Sequence, residues 1–204
     1  MVASERLALC DLLEQLEPDE WQTQSLCADW TVRDVVAHLT LATEETLRGM
    51  IVGMIKARGS FDRMNTNAAI KRSRDVDPPE LIQRLRESAS SSQRNPMSTP
   101  ADQLIDILVH TQDIARPLGR ATTMIPEHVV PALDHAVDSR WYGGKKRFAT
   151  VRLVATDISW EAGSGTLRVE GTSGDLLLLA TGRTSALEHL DGPGVNTLVR
   201  QYST

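Results

Sequence analysis

The sequence predicts an α+β protein: an antiparallel four-helix bundle over residues 1–140, followed by a small α/β unit over 141–204. Three observations lead there. Apolar residues recur at helical spacing through the first part. Two strong helix starts are written at Thr31 with Asp34 and at Thr99-Pro100-Ala101-Asp102. Beyond Trp141 the pattern changes to alternation, clearest in Thr166-Leu167-Arg168-Val169-Glu170, between glycine-rich turns.

Taken in order, residues 4–17 carry Leu9, Leu12, Leu13 and Leu16 at helical spacing, and Pro18 ends that helix. The Thr31/Asp34 box starts a second helix with the stripe Val32, Val35, Val36, Leu39 and Thr43. Leu47, Met50, Ile51 and Met54 continue the stripe, so the helix is expected to run on, weakened by Gly49 and Gly53. The polar stretch from Gly59 to Arg74 reads as a loop and a short helix. Pro78 and Pro79 open a helix with Leu81, Ile82 and Leu85 on its apolar face. Residues 93–100 are a linker, and the helix that Thr99 caps runs to about Arg116, before Pro117 and Gly119. A further helix spans about 126–140. Then come a break at 142–146, a strand within 148–158, a hairpin-like turn at 161–165 and a second strand at 166–170. A helix follows at 176–182, with short helical pieces near the end.

Composition narrows the function. With 41% apolar and 24% charged residues, the chain has the balance of a folded globular protein. A formal net charge of -5 argues against a nucleic-acid partner, whose phosphates call for a basic surface. No apolar run approaches the ~20 residues that span a bilayer, so no membrane partner is expected. The N-terminus lacks the basic-then-apolar pattern of a signal peptide. Two cysteines, Cys10 and Cys27, make neither a disulfide framework nor a cysteine-based zinc site. A cytoplasmic, reducing location is the resulting expectation.

The helix from 101 to 116 carries the chemistry. Leu104, Ile105, Ile107, Leu108, Val109 and Ile114 make it apolar almost all round, so it should be buried. Yet Asp102, Asp106, His110 and Asp113 follow one another at intervals of four, four and three and share a face. Buried carboxylates and imidazoles are costly unless paired or bound to something. Asp106 and His110, about 6 Å apart along the axis, can meet one ion or simply bond each other on a solvated face. His38, at the edge of the second helix's stripe, is either a third ligand or a core histidine. His128, His135 and His189 lack such an arrangement.

Flanking residues add a resemblance. Trp21 and the run from Ser25 through Cys27, Trp30 and Asp34 to His38-Leu39 resemble the N-terminal signature of the mycothiol-dependent maleylpyruvate isomerase family, within the DinB-like metal-binding superfamily. Asp106-Ile107-Leu108-Val109-His110 through Gly119 resembles its second signature. Ala155 to Trp160, Gly182-Arg183 and Gly192-Pro193-Gly194-Val195 resemble its C-terminal domain. The resemblance implies a DinB-like bundle with a divalent metal on two histidines and one acid. At the matching positions these are His38, Asp106 and His110; Asp106 replaces the family's Glu and is one methylene shorter. Such a ligand set leaves coordination positions open, as in a catalytic site. Zinc is the expected metal, and nickel(II) or iron(II) would suit the same ligands.

Both cysteines read as packing residues, Cys10 on the first helix and Cys27 beside Trp30 in a loop. Thiol chemistry would therefore need an external small thiol, and the resemblance supplies mycothiol. Asp113 either orients His110 or pairs with Arg116, and both belong to the expected cofactor-binding set. Arg183, in a Gly-Arg turn, is the expected catalytic clamp for a substrate or cofactor carboxylate, against a surface role. The implied function is a metal-dependent, mycothiol-using isomerase or thiol transferase acting on a small electrophile. Metal-dependent hydrolysis and non-catalytic metal or small-ligand binding are the alternatives, and thiol dependence and turnover separate the three.

Overall fold

A computed structural model describes every residue except 45, 92, 94–97, 121, 140–141 and 203–204. It is mostly helical, with one three-stranded sheet near the C-terminus. The chain divides into two compact units, Met1–Thr122 and Thr123–Thr204.

The first unit holds α1 (Val2–Leu13), α2 (Val32–Leu41), α3 (Leu47–Lys56), α4 (Phe61–Asp75), α5 (Pro78–Ser88) and α6 (Pro100–Ala115). Helices α1 and α2 each pack against both α5 and α6, which makes these four the bundle; α4 lies on α2, and α3 on α4. The core is built from the predicted stripes: Leu9 and Leu13 of α1, Val35, Val36 and Leu39 of α2, Leu81 and Leu85 of α5, and Ile107, Leu108 and Ile114 of α6. Each such side chain contributes about 1.5–3 kcal/mol on burial. Both predicted helix starts form, and each is a capping box, at Thr31/Asp34 and Thr99/Asp102. Arg6, buried inside this unit, donates from Nη1 to the Ser88 carbonyl at 2.7 Å, satisfying an acceptor that the last turn of α5 cannot.

Three local expectations change. The first helix stops at Leu13; the turn after it is clamped by Arg120, whose Nη2 reaches the Gln15 carbonyl and Glu20. The long second helix is two, because Thr46 recaps the chain by accepting from the Gly49 amide at 3.1 Å. The extended stripe does not continue into the core: Leu47, Ile51, Val52 and Ile55 are exposed, and α3 buries only Met50. The segment expected as a loop and short helix is the 15-residue α4. Its polar residues hide an apolar stripe, but they tie it down: Ser73 bonds Asp34 of α2, and Arg72 pairs with Glu44 at 2.7 Å.

The second unit holds α7 (Pro126–Asp138), α8 (Gly144–Arg147), β1 (Val151–Ala155), β2 (Glu161–Ala162), β3 (Leu167–Gly171), α9 (Ser173–Ala180) and α10 (Val195–Tyr202). Helix α9 is buried along its whole length and packs against α7 and β1. Its last carbonyls are taken by Tyr202, through Oη to Leu179 at 2.6 Å, and by Arg147, through Nη1 to Ala180 at 3.1 Å. The sheet order is β2-β1-β3. The expected hairpin pairing of the two main strands is overturned: β1 and β3 are parallel, with Leu153 opposite Val169, and β2 is the antiparallel partner, with Leu153 opposite Ala162. The chain crosses the start of β1 to reach its other edge. A Cβ on Gly165 would lie 2.0 Å from the Thr150 carbonyl carbon, so only glycine permits that crossing.

Candidate metal centre

Two segments of the first unit build the site. The loop before α2 is shaped by its own polar groups. Gln24 Nε2 donates to the carbonyls of Cys27 (2.7 Å) and Trp30 (2.8 Å), and Ser25 Oγ donates to the Trp30 carbonyl at 2.7 Å. The Thr31 cap then starts α2 in the direction that carries His38 inward. On α6 the polar face divides by role. Asp102 is consumed by the cap, accepting from Thr99 N and Oγ1 at 2.8 Å each. Asp106, His110 and Asp113 follow along the helix.

His38, Asp106 and His110 come together. Asp106 Oδ1 lies 3.4 Å from His38 Nε2 and 3.3 Å from His110 Nε2. These separations are long for hydrogen bonds, which cluster near ~2.9–3.0 Å. They match the edge of a tetrahedron whose centre stands ~2.0–2.1 Å from each corner, the spacing of ligands around zinc. The other nitrogen of His110 is engaged: Nδ1 is 2.8 Å from Asp113 Oδ2, which leaves Nε2 facing Asp106. His38 and Asp106 keep 18% and 29% of their side chains exposed, so a ligand can reach the centre from solvent.

The neighbours of Asp106 and His110 shift their titration. Burial alone would raise the Asp106 carboxyl, but the charge of His38 and the nearness of the His38 and His110 imidazoles outweigh it and hold the group well below the usual carboxylate range. Burial would lower the His110 imidazole, yet Asp106, Asp113 and Cys27 raise it well above its ordinary value.

The other expected residues fall as follows. Asp113 is fully buried, with Oδ2 2.8 Å from His110 Nδ1. Arg116 follows the last turn of α6, its Nε donating to Gln112 Oε1 at 3.0 Å. Arg183 belongs to the second unit, where its Nη1 donates to the Thr181 carbonyl at 3.0 Å beside the end of α9. Cys10 is buried, its thiol pushed up to about 11 chiefly by desolvation, which fits a packing residue. Cys27 is not mere packing: its Sγ donates to Asp113 Oδ2 at 3.2 Å and stands 3.9 Å from His110 Nδ1. Trp30 lies against both imidazoles, with ring centroids 4.9 Å from His38 and 5.9 Å from His110. Nothing in the spacing of Cys27 or Trp30 announces this, since the contacts with His110 join segments about 80 residues apart.

Two solved structures resemble the chain. One, a mycothiol-dependent maleylpyruvate isomerase, matches with a TM-score of 0.56 at 18% identity, covering 94% of this chain and 92% of that one. The other, a variant of that enzyme, matches with a TM-score of 0.57 at 16% identity and the same coverage. No curated protein matches. The model of the mycothiol maleylpyruvate isomerase N-terminal domain matches residues 2–138, and the chain belongs to that family.

Proposed function

We propose that this protein is a metal-dependent, mycothiol-using isomerase or thiol transferase acting on a small electrophilic substrate. The observation that carries the reading is the convergence of His38, Asp106 and His110 at the edge lengths of a tetrahedral ion site. Family membership and the likeness to a mycothiol-dependent maleylpyruvate isomerase support the thiol and the reaction class.

The residues divide the work by position. His38 and His110 offer Nε2, and Asp106 offers one carboxylate oxygen and the negative charge. Asp113 fixes the His110 ring from behind. Trp30 packs against the two imidazoles and narrows the approach from that side. A divalent ion held there, zinc or another that suits two imidazoles and a carboxylate, would supply an ionised external thiol at neutral pH, ready to add to an electrophilic carbon. Cys10 is excluded as the reacting thiol by its burial and raised pKa. Arg116 and Arg183 are proposed to bind carboxylates of cofactor or substrate through their guanidinium forks.

The test is turnover of maleylpyruvate by the metal-loaded protein with and without mycothiol. Isomerisation that needs both thiol and metal supports the reading. Metal-dependent formation of hydrolysis products without thiol moves it to hydrolysis. Stoichiometric metal binding with no turnover of maleylpyruvate or other small electrophiles moves it to ligand binding.

A further inference from the structure

We infer that Cys27 is a positioning residue of the metal centre: its thiol shares the Asp113 carboxylate with His110 and so holds the imidazole with Nε2 turned toward Asp106 and His38. This rests on the reading of His38, Asp106 and His110 as metal ligands.

Asp113 Oδ2 takes both contacts, the Cys27 thiol at 3.2 Å and His110 Nδ1 at 2.8 Å. The Asp113 side chain is 0% exposed, so bulk water cannot stand in for either donor. The loop is fastened to the same residue through its backbone, Leu26 N donating to the Asp113 carbonyl at 3.1 Å. Cys27 is itself held: its amide donates to Ser25 Oγ at 3.1 Å and its carbonyl accepts from Gln24 Nε2 at 2.7 Å. The thiol is thus presented by a braced loop rather than by a free side chain.

The side of the ring matters. Cys27 approaches Nδ1, whereas Asp106 faces Nε2. An imidazole points its two nitrogens in different directions, so an ion on Nε2 lies beyond the thiol. Cys27 therefore acts through Asp113 and not as a ligand. A thiol suits this place because it is a weak donor. It gives the buried carboxylate a further contact without competing strongly with the His110 N–H for the same oxygen.

The experiment compares the full chain with Cys27→Ala and Cys27→Ser. Zinc affinity is measured by chelator competition, and exchange of the His110 Nδ1–H proton with water by NMR on the metal-free protein. Cys27→Ala should weaken zinc binding by a few-fold, less than the about 10- to 100-fold expected on losing a group bonded to the ligand itself, and speed that exchange, while Cys27→Ser, whose hydroxyl can make the same bond, should stay closer to the parent in both. Parent-like affinity and exchange in Cys27→Ala overturn the inference. So does a sulfur-to-cobalt charge-transfer band in the cobalt-loaded parent, which would make Cys27 a ligand. A parent that binds no zinc defeats the metal reading instead, and the exchange rate then decides Cys27 alone. If Cys27→Ala loses its helical circular dichroism, Cys27→Ser decides: parent-like exchange supports the inference and fast exchange overturns it.

Discussion

Asp113 Oδ2 stands 2.8 Å from His110 Nδ1, three residues earlier on α6, with the carboxylate wholly out of solvent. A buried carboxylate tied to the back of an imidazole sets which nitrogen that imidazole offers. Replacing Asp113 with Ala should weaken metal binding by about 10- to 100-fold. It should also cost stability, because His110 and Cys27 each lose a buried partner, at about 1–3 kcal/mol per unsatisfied group. Chelator competition and urea denaturation measure the two effects separately.

The proposed ligands make a sharper prediction. His38→Ala and His110→Ala should each abolish stoichiometric zinc binding and leave the helical circular dichroism intact, since neither imidazole is part of the apolar core that holds the helices together. Retention of one tightly bound zinc by either variant would remove that residue from the ligand set.

The two thiols should differ in reactivity. Cys10 is fully buried and its thiol is raised to about 11, while Cys27 is partly open. Iodoacetamide at pH 8 should label Cys27 in the native protein and reach Cys10 only on unfolding, as read by mass spectrometry of peptides. Equal labelling of both would contradict the packing of α1 against α5.

Acid stability should depend on Glu20 and Arg120. The hydrogen bond from Arg120, with Nη2 at 2.8 Å from Oε2, holds the Glu20 carboxyl below its ordinary value. A lowered folded-state pKa adds stability above the unfolded value of about 4.3, lost as pH falls through the folded one. Arg120→Ala should therefore narrow the gap between parent and variant as the pH is taken from 6 to 3. A gap that widens on acidification would reverse the assigned sign.

The crossing between β2 and β3 gives a backbone test. Gly165→Ala places a Cβ against the Thr150 carbonyl and should destabilise the chain by at least about 1–3 kcal/mol in urea denaturation.

What could be read from the sequence is what a few consecutive residues decide. Both helix starts form where Thr31 and Thr99 predict them, because cap and partner lie three residues apart. The apolar stripes of α1, α2, α5 and α6 are the core, because helical periodicity is a local property. The mutual placement of Asp106, His110 and Asp113 along one face also follows from helix geometry. Tertiary structure decided the rest. Whether Met50 or Ile51 faces the core depends on how α3 lies on α4, and the polar α4 is held by ion pairs and hydrogen bonds to residues far away in the chain. Strand pairing in the second unit turned on a close approach of Gly165 to Thr150. His38 meets Asp106 across a separation of 68 residues, and Cys27 meets Asp113 across 86. Periodicity can place each of these on its own helix or loop, but their meeting is fixed by the packing of α2 and the preceding loop against α6, where many weak contacts act together and none is encoded by neighbours in sequence.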